Sequence, residues 1–405
     1  MLDYGTYLFA FLCGVAVMVV IGELRKRMRA VREFSDIRRR LANLVRTDER
    51  LNSLFPPVWL SEDNLHVLTA AGNSGPTTSL EAELSNVRAA LATRIESRAI
   101  ELPQFGDALR YTQRQSGKMI RARLVLLFGQ ALGSGQSSLL AQAGELLHAA
   151  SLLHDDVVDA SDTRRGMDSH RKIFGDRTAV LTGDNLISIL VDVLSEIGSL
   201  AVTTEIASAI EALVIGELLQ LRGVDSNEFA DEIQGLIFSY TRKSYFKTGS
   251  LFAALLKCVG TLSSANRALP CASFGYYFGL AFQLTDDILD FEGTQDVAGK
   301  PAGGSDLRNG TATLPIFLAC RDAKNLHASE RTELLEMVHR RFSRPADCDR
   351  SLHLLRKSDG LAMAKETVHE YLGKCREILR GLVIADSPHF GAIDTLLAEC
   401  EFRQK

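Results

Sequence analysis

Glu145-Leu-Leu-His148-Ala-Ala-Ser151-Leu-Leu-His154-Asp155-Asp156-Val-Val-Asp159 is the stretch from which the rest of this 405-residue chain can be read. Its apolar residues recur at spacings of three and four, the pattern of an amphipathic helix. On that helix Asp155 and Asp159 share a face one turn apart, with Asp156 beside them. Roughly 130 residues later the same spacing returns in Phe282-Gln283-Leu-Thr-Asp286-Asp287-Ile-Leu-Asp290-Phe291. Six carboxylates on two such faces repel one another unless cations lie between them. Mg2+ held by one or two carboxylates plus substrate phosphates is the usual way to resolve this. One such motif alone is most often a solvated acidic face. Here both copies sit inside apolar sequence, where solvated faces are rare, so the chain is expected to act on diphosphates.

Working outward, the residues beyond Leu80 are helical in pattern nearly throughout. Leu124–Leu132, Leu139–Leu153, Leu181–Leu221 and Phe238–Val259 all carry apolar spacing of three and four, and no hairpin dipeptide separates alternating runs. Only 9 prolines occur, which favours long uninterrupted helices. The expected architecture is an all-α helical bundle in which the two Asp-bearing helices face each other across a deep central cavity, kept open near the first motif by Ala149 and Ala150. Ahead of it stands an N-terminal hydrophobic helix. Three segments follow: 1–50, an apolar anchor or targeting segment with a basic flank; 51–79, a connector rich in Pro, Gly and Ser; and 80–405, the catalytic domain. Thr78 or Ser79 is placed to cap the first helix of that domain, because Glu81 and Glu83 follow in its first turn.

The net charge of −4 carries no sign of nucleic-acid binding. It conceals an asymmetry, since residues 23–50 hold a charge of +5 while the chain from 51 onward holds −8. Residues 4–22, YGTYLFAFLCGVAVMVVIG, contain no charge and precede the run Arg25-Lys26-Arg27-Met28-Arg29. As a helix they would reach about 28 Å, near the roughly 30 Å of a hydrocarbon core. A single membrane pass is expected, with the basic flank and the main domain on the positive-inside face. A helix packed on a partner is the alternative. Asp3 and the missing charged leader argue against a secretory signal. Seven scattered cysteines, Cys13, Cys258, Cys271, Cys320, Cys348, Cys375 and Cys400, form no CxxC pair, which favours a reducing compartment without a zinc or disulfide framework.

Basic residues suited to phosphate lie between and around the two motifs. Gly117-Lys118-Met-Ile-Arg121-Ala-Arg123 offers a glycine for close approach, a point charge and a guanidinium one turn on. Arg164-Arg165-Gly166 follows the first motif closely, and His148 lies two turns before Asp155 on the same face. Lys247-Thr248-Gly249 precedes an apolar run and could aim both side chains at a cavity mouth. Gln283 is one turn before Asp286. Lys300, in Ala298-Gly299-Lys300-Pro301, suits a loop that closes on phosphate. Singly, each of these would be read as a solvated surface group.

Taken together, the first motif with its preceding helix, Arg164-Arg165-Gly166, Gly183-Asp184, Lys247-Thr248 and the second motif resemble the trans-isoprenyl diphosphate synthases, nearest to the long-chain solanesyl and decaprenyl type, catalytic subunit. The resemblance covers about residues 80–405. It implies a dimeric or hetero-oligomeric all-helical enzyme with three Mg2+ held between the motifs. By matching position, Asp155, Asp159 and Asp286 would ligate metal directly, with Asp156, Asp287 and Asp290 completing or supporting the set. Arg164, Lys247, Thr248, Gln283 and Lys300 would grip an allylic diphosphate primer; Lys118, Arg121, His148 and Arg165 would hold isopentenyl diphosphate. Catalysis would centre on Asp155, Asp156, Asp159, Lys247, Asp286 and Asp287.

The same resemblance assigns product length to the positions four and five before the first motif, where bulky residues block the growing tail. Here they are Ser151 and Ala150, so a long product is expected, serving the ubiquinone side chain. A mitochondrial, inner-membrane location follows from that role, with endoplasmic reticulum or another membrane as the alternative. The chain departs from the family pattern at Met119 and Ala122 beside Lys118, at Ala160, near His170-Arg171, at Thr311, and in a slightly long loop between Lys300 and Asp306, a candidate water-mediated ligand. None removes a residue the reaction requires. Competing readings are a shorter-chain geranylgeranyl diphosphate synthase, a terpene cyclase, which would need no isopentenyl diphosphate site, and a non-catalytic subunit of a heteromeric synthase, which would be expected to lose Asp residues that this chain retains.

Overall fold

The computed structural model describes residues 79–114, 117–222, 231–292, 303–385 and 387–401. The N-terminal apolar stretch, its basic flank, most of the connector and Lys300 lie outside them. The described residues are almost wholly helical and fall into two compact units, one of residues 79–205 and 261–263, the other of 206–260 and 264–401.

In the first unit, α1 (Leu80–Glu101) starts at Ser79, whose Oγ accepts from the Ala82 N–H at 3.2 Å while Glu81 and Glu83 occupy the first turn. This is the cap the sequence offered, with acidic groups at the positive end of the helix dipole. After α2 (Gly106–Arg114) come α3 (Ile120–Leu132) and α4 (Ser137–Val158), the helix of the first Asp motif. Leu140, Ala143, Leu147, Ala150 and Leu153 form the buried stripe of α4. That stripe packs on α3 and along α6 (Asp176–Ile197), after the short α5 (His170–Phe174). Of the described helices, α6 alone is long and apolar enough to cross a membrane; its buried Ala179, Val180, Leu186 and Leu190 make it instead a core helix of this unit.

Two local departures from the sequence reading have clear causes. The stretch Leu181–Leu221, helical in spacing throughout, holds two helices, because Gly198 takes φ 66° and closes α6 by donating to Leu194 O before α7 (Leu200–Arg222) begins. Glycine enters that left-handed region without the Cβ penalty other residues meet. The chain also contains a short hairpin that no turn dipeptide had signalled. Thr163–Arg164 pairs with Met167–Asp168 antiparallel around Arg165 (φ 53°) and Gly166 (φ 77°). Positive φ at both turn positions marks a turn of the primed kind, and the arginine at the first of them hid it.

In the second unit, which includes α7 from Ile206 onward, α8 (Glu232–Ser244) runs into a π-helical turn, Tyr245–Gly249, and then α9 (Ser250–Ser263). The predicted helix Phe238–Val259 is therefore continuous but locally widened. α10 (Ala268–Glu292), the helix of the second Asp motif, packs on that turn and on α15 (Gly360–Leu382). A Cβ at Gly279 would stand 2.5 Å from Gly249 Cα, and one at Gly275 would stand 2.5 Å from Phe252 O. Backbone thus meets backbone along α10, which fixes the second motif against the turn carrying Lys247 and Thr248. Between α10 and α15 in sequence lie α11 (Ser305–Arg308), α12 (Leu314–Arg321), α13 (Ala328–His339) and α14 (Asp347–Lys357); Ile316, Leu334, Met337, Leu354 and Leu355 form their core, and α16 (Pro388–Glu401) ends the fold.

Candidate active site

In the first unit, Asp155 and Asp159 occupy the last turn of α4, the former half-buried and the latter exposed as the C-cap, with its N–H on Asp155 O at 2.8 Å. Asp156 points the other way and is 1% exposed. Its Oδ1 accepts from Arg164 Nε at 2.9 Å and Nη2 at 2.5 Å. A buried carboxylate needs such a partner, and the hairpin supplies it by carrying Arg164 back to the helix that precedes it.

The hairpin turn also sets Arg165 over Gly117, where a Cβ would meet the guanidinium at 2.7 Å. The glycine expected to let phosphate approach thus also accommodates an arginine of the same candidate set. Lys118 beside it is exposed, and Met119 holds φ 50° at the start of α3, anchored by its buried side chain, whose Sδ accepts from Arg88 Nε at 3.1 Å. His148 stands well below the ordinary histidine range, chiefly because burial disfavours its charged form and then because Arg121, Arg165 and Arg164 repel it. It is therefore a neutral imidazole in a field of guanidiniums, a setting made for an anion. Glu145 is raised by burial despite Arg121 and Arg165, and its Oε1 accepts from the Ala122 N–H at 3.2 Å.

In the second unit the pattern of carboxylates repeats. Asp286 and Asp290 are half-buried, while Asp287 is 5% exposed and turned inward. Tyr240 Oη donates to Asp287 Oδ2 at 2.7 Å, and Gln283 Nε2 donates to Oδ1 at 2.8 Å. Burial pushes the Asp287 carboxyl up to about 7 against the pull of those two donors. Thr248 Oγ1 in turn donates to Gln283 Oε1 at 2.6 Å. Asp290 accepts from Ser305 Oγ and from the Asp306 N–H, so the start of α11 is tied to the end of α10.

The predicted residues therefore fall into place unevenly. Arg164 and Asp156, and Thr248, Gln283 and Asp287, are joined by direct hydrogen bonds. Lys247 turns from Thr248 to α7, where Glu217 and Gln220 hold it. Ser151 is half-buried and hydrogen-bonded to His148 O, whereas Ala150 is wholly buried on the opposite face. Tyr240, Glu217 and Gln220 were not foreseen, because their partners lie 47, 30 and 27 residues away and no local period marks them. Asp184 carried a signal in the Gly183-Asp184 pair: Gly183 makes room for the His154 ring, whose Nε2 lies 3.6 Å from Asp184, and burial pushes the Asp184 carboxyl up to about 6.

Among the described residues no three His, Cys, Asp or Glu side chains gather closely enough to enclose a metal ion. Each motif does present carboxylate oxygens one turn apart on the accessible side of its helix, a donor set for a hard cation that completes its shell with other oxygens. The residues present fit Mg2+ shared with a diphosphate.

Known proteins resemble this chain in both sequence and fold. The sequence profile of the family described as polyprenyl synthetase matches residues 103–355. Solanesyl-diphosphate synthase 1, mitochondrial, of Oryza sativa subsp. japonica is 33% identical over 320 residues, 73% of this chain and 71% of that protein. All trans-polyprenyl-diphosphate synthase PDSS1 of Mus musculus is 34% identical over 295 residues, covering 70% and 68%. The crystal structure of polyprenyl synthase from Caulobacter crescentus, complexed with calcium and isoprenyl diphosphate, superposes with a TM-score of 0.68 at 28% identity, covering 82% of this chain and all (100%) of that one.

Proposed function

Because the chain belongs to the polyprenyl synthetase family, we propose that it is the catalytic chain of a long-chain trans-polyprenyl diphosphate synthase, condensing an allylic diphosphate with successive isopentenyl diphosphates. The observation that carries this reading is the repeated division of labour within the Asp motifs. In each, the middle Asp is buried and hydrogen-bonded within the protein, while the outer ones stay accessible. Solvated acidic faces have no reason to be built that way twice.

Asp155, Asp159, Asp286 and Asp290 would hold the divalent cations, Mg2+ by their oxygen-only donor set, with Asp156 and Asp287 fixing the helix ends from behind. When bound, the cations supply neutralisation of the charge that develops on the leaving diphosphate. Arg164, Lys247, Thr248, Gln283 and Lys300 bind the allylic diphosphate, and Lys118, Arg121, Arg165 and His148 bind that of isopentenyl diphosphate. His148, being neutral, can donate one N–H without adding charge. The allylic C–O bond breaks with its electron pair leaving on diphosphate. The isopentenyl C=C then attacks the allylic cation, and loss of a proton to the departed diphosphate restores an alkene one isoprene unit longer. Cationic side chains that meet the leaving group in place of water lower this barrier electrostatically.

Ser151, on the accessible face of α4 with His148 and Asp155, is the small residue that leaves the tail room; Ala150 faces the core of its unit. The rice relative is named as mitochondrial, and the same compartment, with residues 4–22 as an inner-membrane anchor, is the location proposed here. The reading is tested by Asp155→Ala and Asp286→Ala in the full-length chain. Both should abolish incorporation of labelled isopentenyl diphosphate while leaving the helical circular dichroism intact, and near-normal turnover in either would overturn the ligand assignment.

A further inference from the structure

Lys247 is held more firmly than a substrate-binding lysine on a surface would be. Its Nζ lies 2.5 Å from Glu217 Oε1 and 2.9 Å from Gln220 Oε1, two acceptors one turn apart on α7. The side chains of Lys247 and Glu217 are 22% and 17% exposed, so the pair is sheltered without being sealed. Gly216 makes the approach possible: a Cβ there would stand 2.7 Å from Lys247 Cγ and 2.9 Å from its backbone nitrogen. The next residue is tied elsewhere, since Thr248 donates to Gln283, which donates to Asp287. Lys247 and Thr248 both lie in the π-helical turn Tyr245–Gly249, and successive side chains on a helix point to different sides of it.

An ammonium group has three donors, and Glu217 and Gln220 take two. We infer that Glu217 is a positioning residue for the allylic diphosphate: it fixes the Lys247 ammonium so that the remaining N–H points in one direction before substrate arrives. This rests on the assignment of Lys247 to that diphosphate. A flexible lysine would be ordered only on binding, at the expense of substrate affinity. Glu217 shifts that ordering into the folding of the protein.

The test is a steady-state analysis of the first condensation by the full-length chain, varying the allylic primer at saturating isopentenyl diphosphate and then the reverse. Glu217→Ala should lower kcat/KM for the primer by about tenfold, the scale of one charge-assisted hydrogen bond. KM for isopentenyl diphosphate and the thermal midpoint should hold. Glu217→Gln, which keeps an acceptor in place, should recover most of the loss. Equal effects on both substrates, or an early melt in both variants, would assign Glu217 a structural role and overturn the inference. So would tighter primer binding in Glu217→Ala, which would make Glu217 a competitor of the substrate. Lys247→Ala separates the two levels. If it impairs primer use while Glu217→Ala does not, the positioning role alone fails; if it leaves primer use normal, the assignment of Lys247 fails and this inference with it.

Discussion

The hydroxyl of Tyr240 donates to Oδ2 of Asp287 at 2.7 Å, joining α8 to the middle carboxylate of the second Asp motif. Both side chains are buried, and the second oxygen of Asp287 is taken by Gln283. Asp287 is thus tied within the protein, whereas Asp286 and Asp290 are more accessible and are the ligands proposed above. Tyr240→Phe removes one donor and leaves a buried carboxyl oxygen short of a partner, which costs about 1–3 kcal/mol. Chemical denaturation should show that loss, with turnover reduced much less than by Asp286→Ala. Unchanged stability would show that this hydrogen bond is dispensable.

The first motif makes the matching prediction for Asp155 and Asp156. Asp155→Ala should cut turnover by at least about a hundredfold, as loss of a charge-stabilising ligand does, with the melting temperature unmoved. Asp156→Ala instead leaves Arg164 without its buried carboxylate partner, and breaking such a pair costs on the order of 2–3 kcal/mol for a partly exposed partner. Thermal melts of the two variants side by side distinguish them, and equal melting temperatures would refute the division between ligand and internally paired Asp.

His148 predicts a pH dependence of stability. Its folded value lies well below the model-peptide 6.5, so between those values the unfolded chain binds a proton that the folded one does not. Stability is then fully present above about pH 6.5 and declines as pH falls toward the folded value. His154 and His170 are lowered in the same direction by burial and add to the slope. His148→Gln should flatten part of the decline between pH 6.5 and 5 in urea titrations. An identical slope in the variant would show that His148 is not held neutral.

Product length separates Ser151 from Ala150. Ser151→Phe, on the accessible face of α4, should shorten the product while the enzyme folds normally. Ala150→Phe, at 0% exposure, overpacks the interface of α4 with its neighbours and should cost about 1–3 kcal/mol or more. Chromatographic sizing of the products together with melts checks both, and an unaltered product from Ser151→Phe would remove it from the tail's path.

How much of this was legible beforehand follows from which signals are local. The two Asp motifs, the Ser79 cap and the helical class could be read because spacing along the chain fixes which side chains share a face. The hairpin at Arg165 was missed because an αL arginine is held by its surroundings and carries no turn signature of its own. Tyr240 and Glu217 were missed for a related reason: their partners are brought to them by helix packing, and the glycines that permit it, Gly216, Gly249 and Gly279, resemble any other helical glycine in sequence. The split of labour inside each DDxxD was likewise hidden, since adjacent Asp residues differ only in which side of the helix meets the core. The reading of residues 1–78 and of Lys300 falls outside the described residues and rests on sequence alone.

The central claim is that this chain, by itself, elongates an allylic primer. Purified full-length protein incubated with Mg2+, an allylic diphosphate and labelled isopentenyl diphosphate should yield an all-trans polyprenyl diphosphate longer than geranylgeranyl diphosphate, and chelation of the metal should stop it. Absence of incorporation until a second protein is added, or a product that ends at geranylgeranyl diphosphate or shorter, would contradict the account.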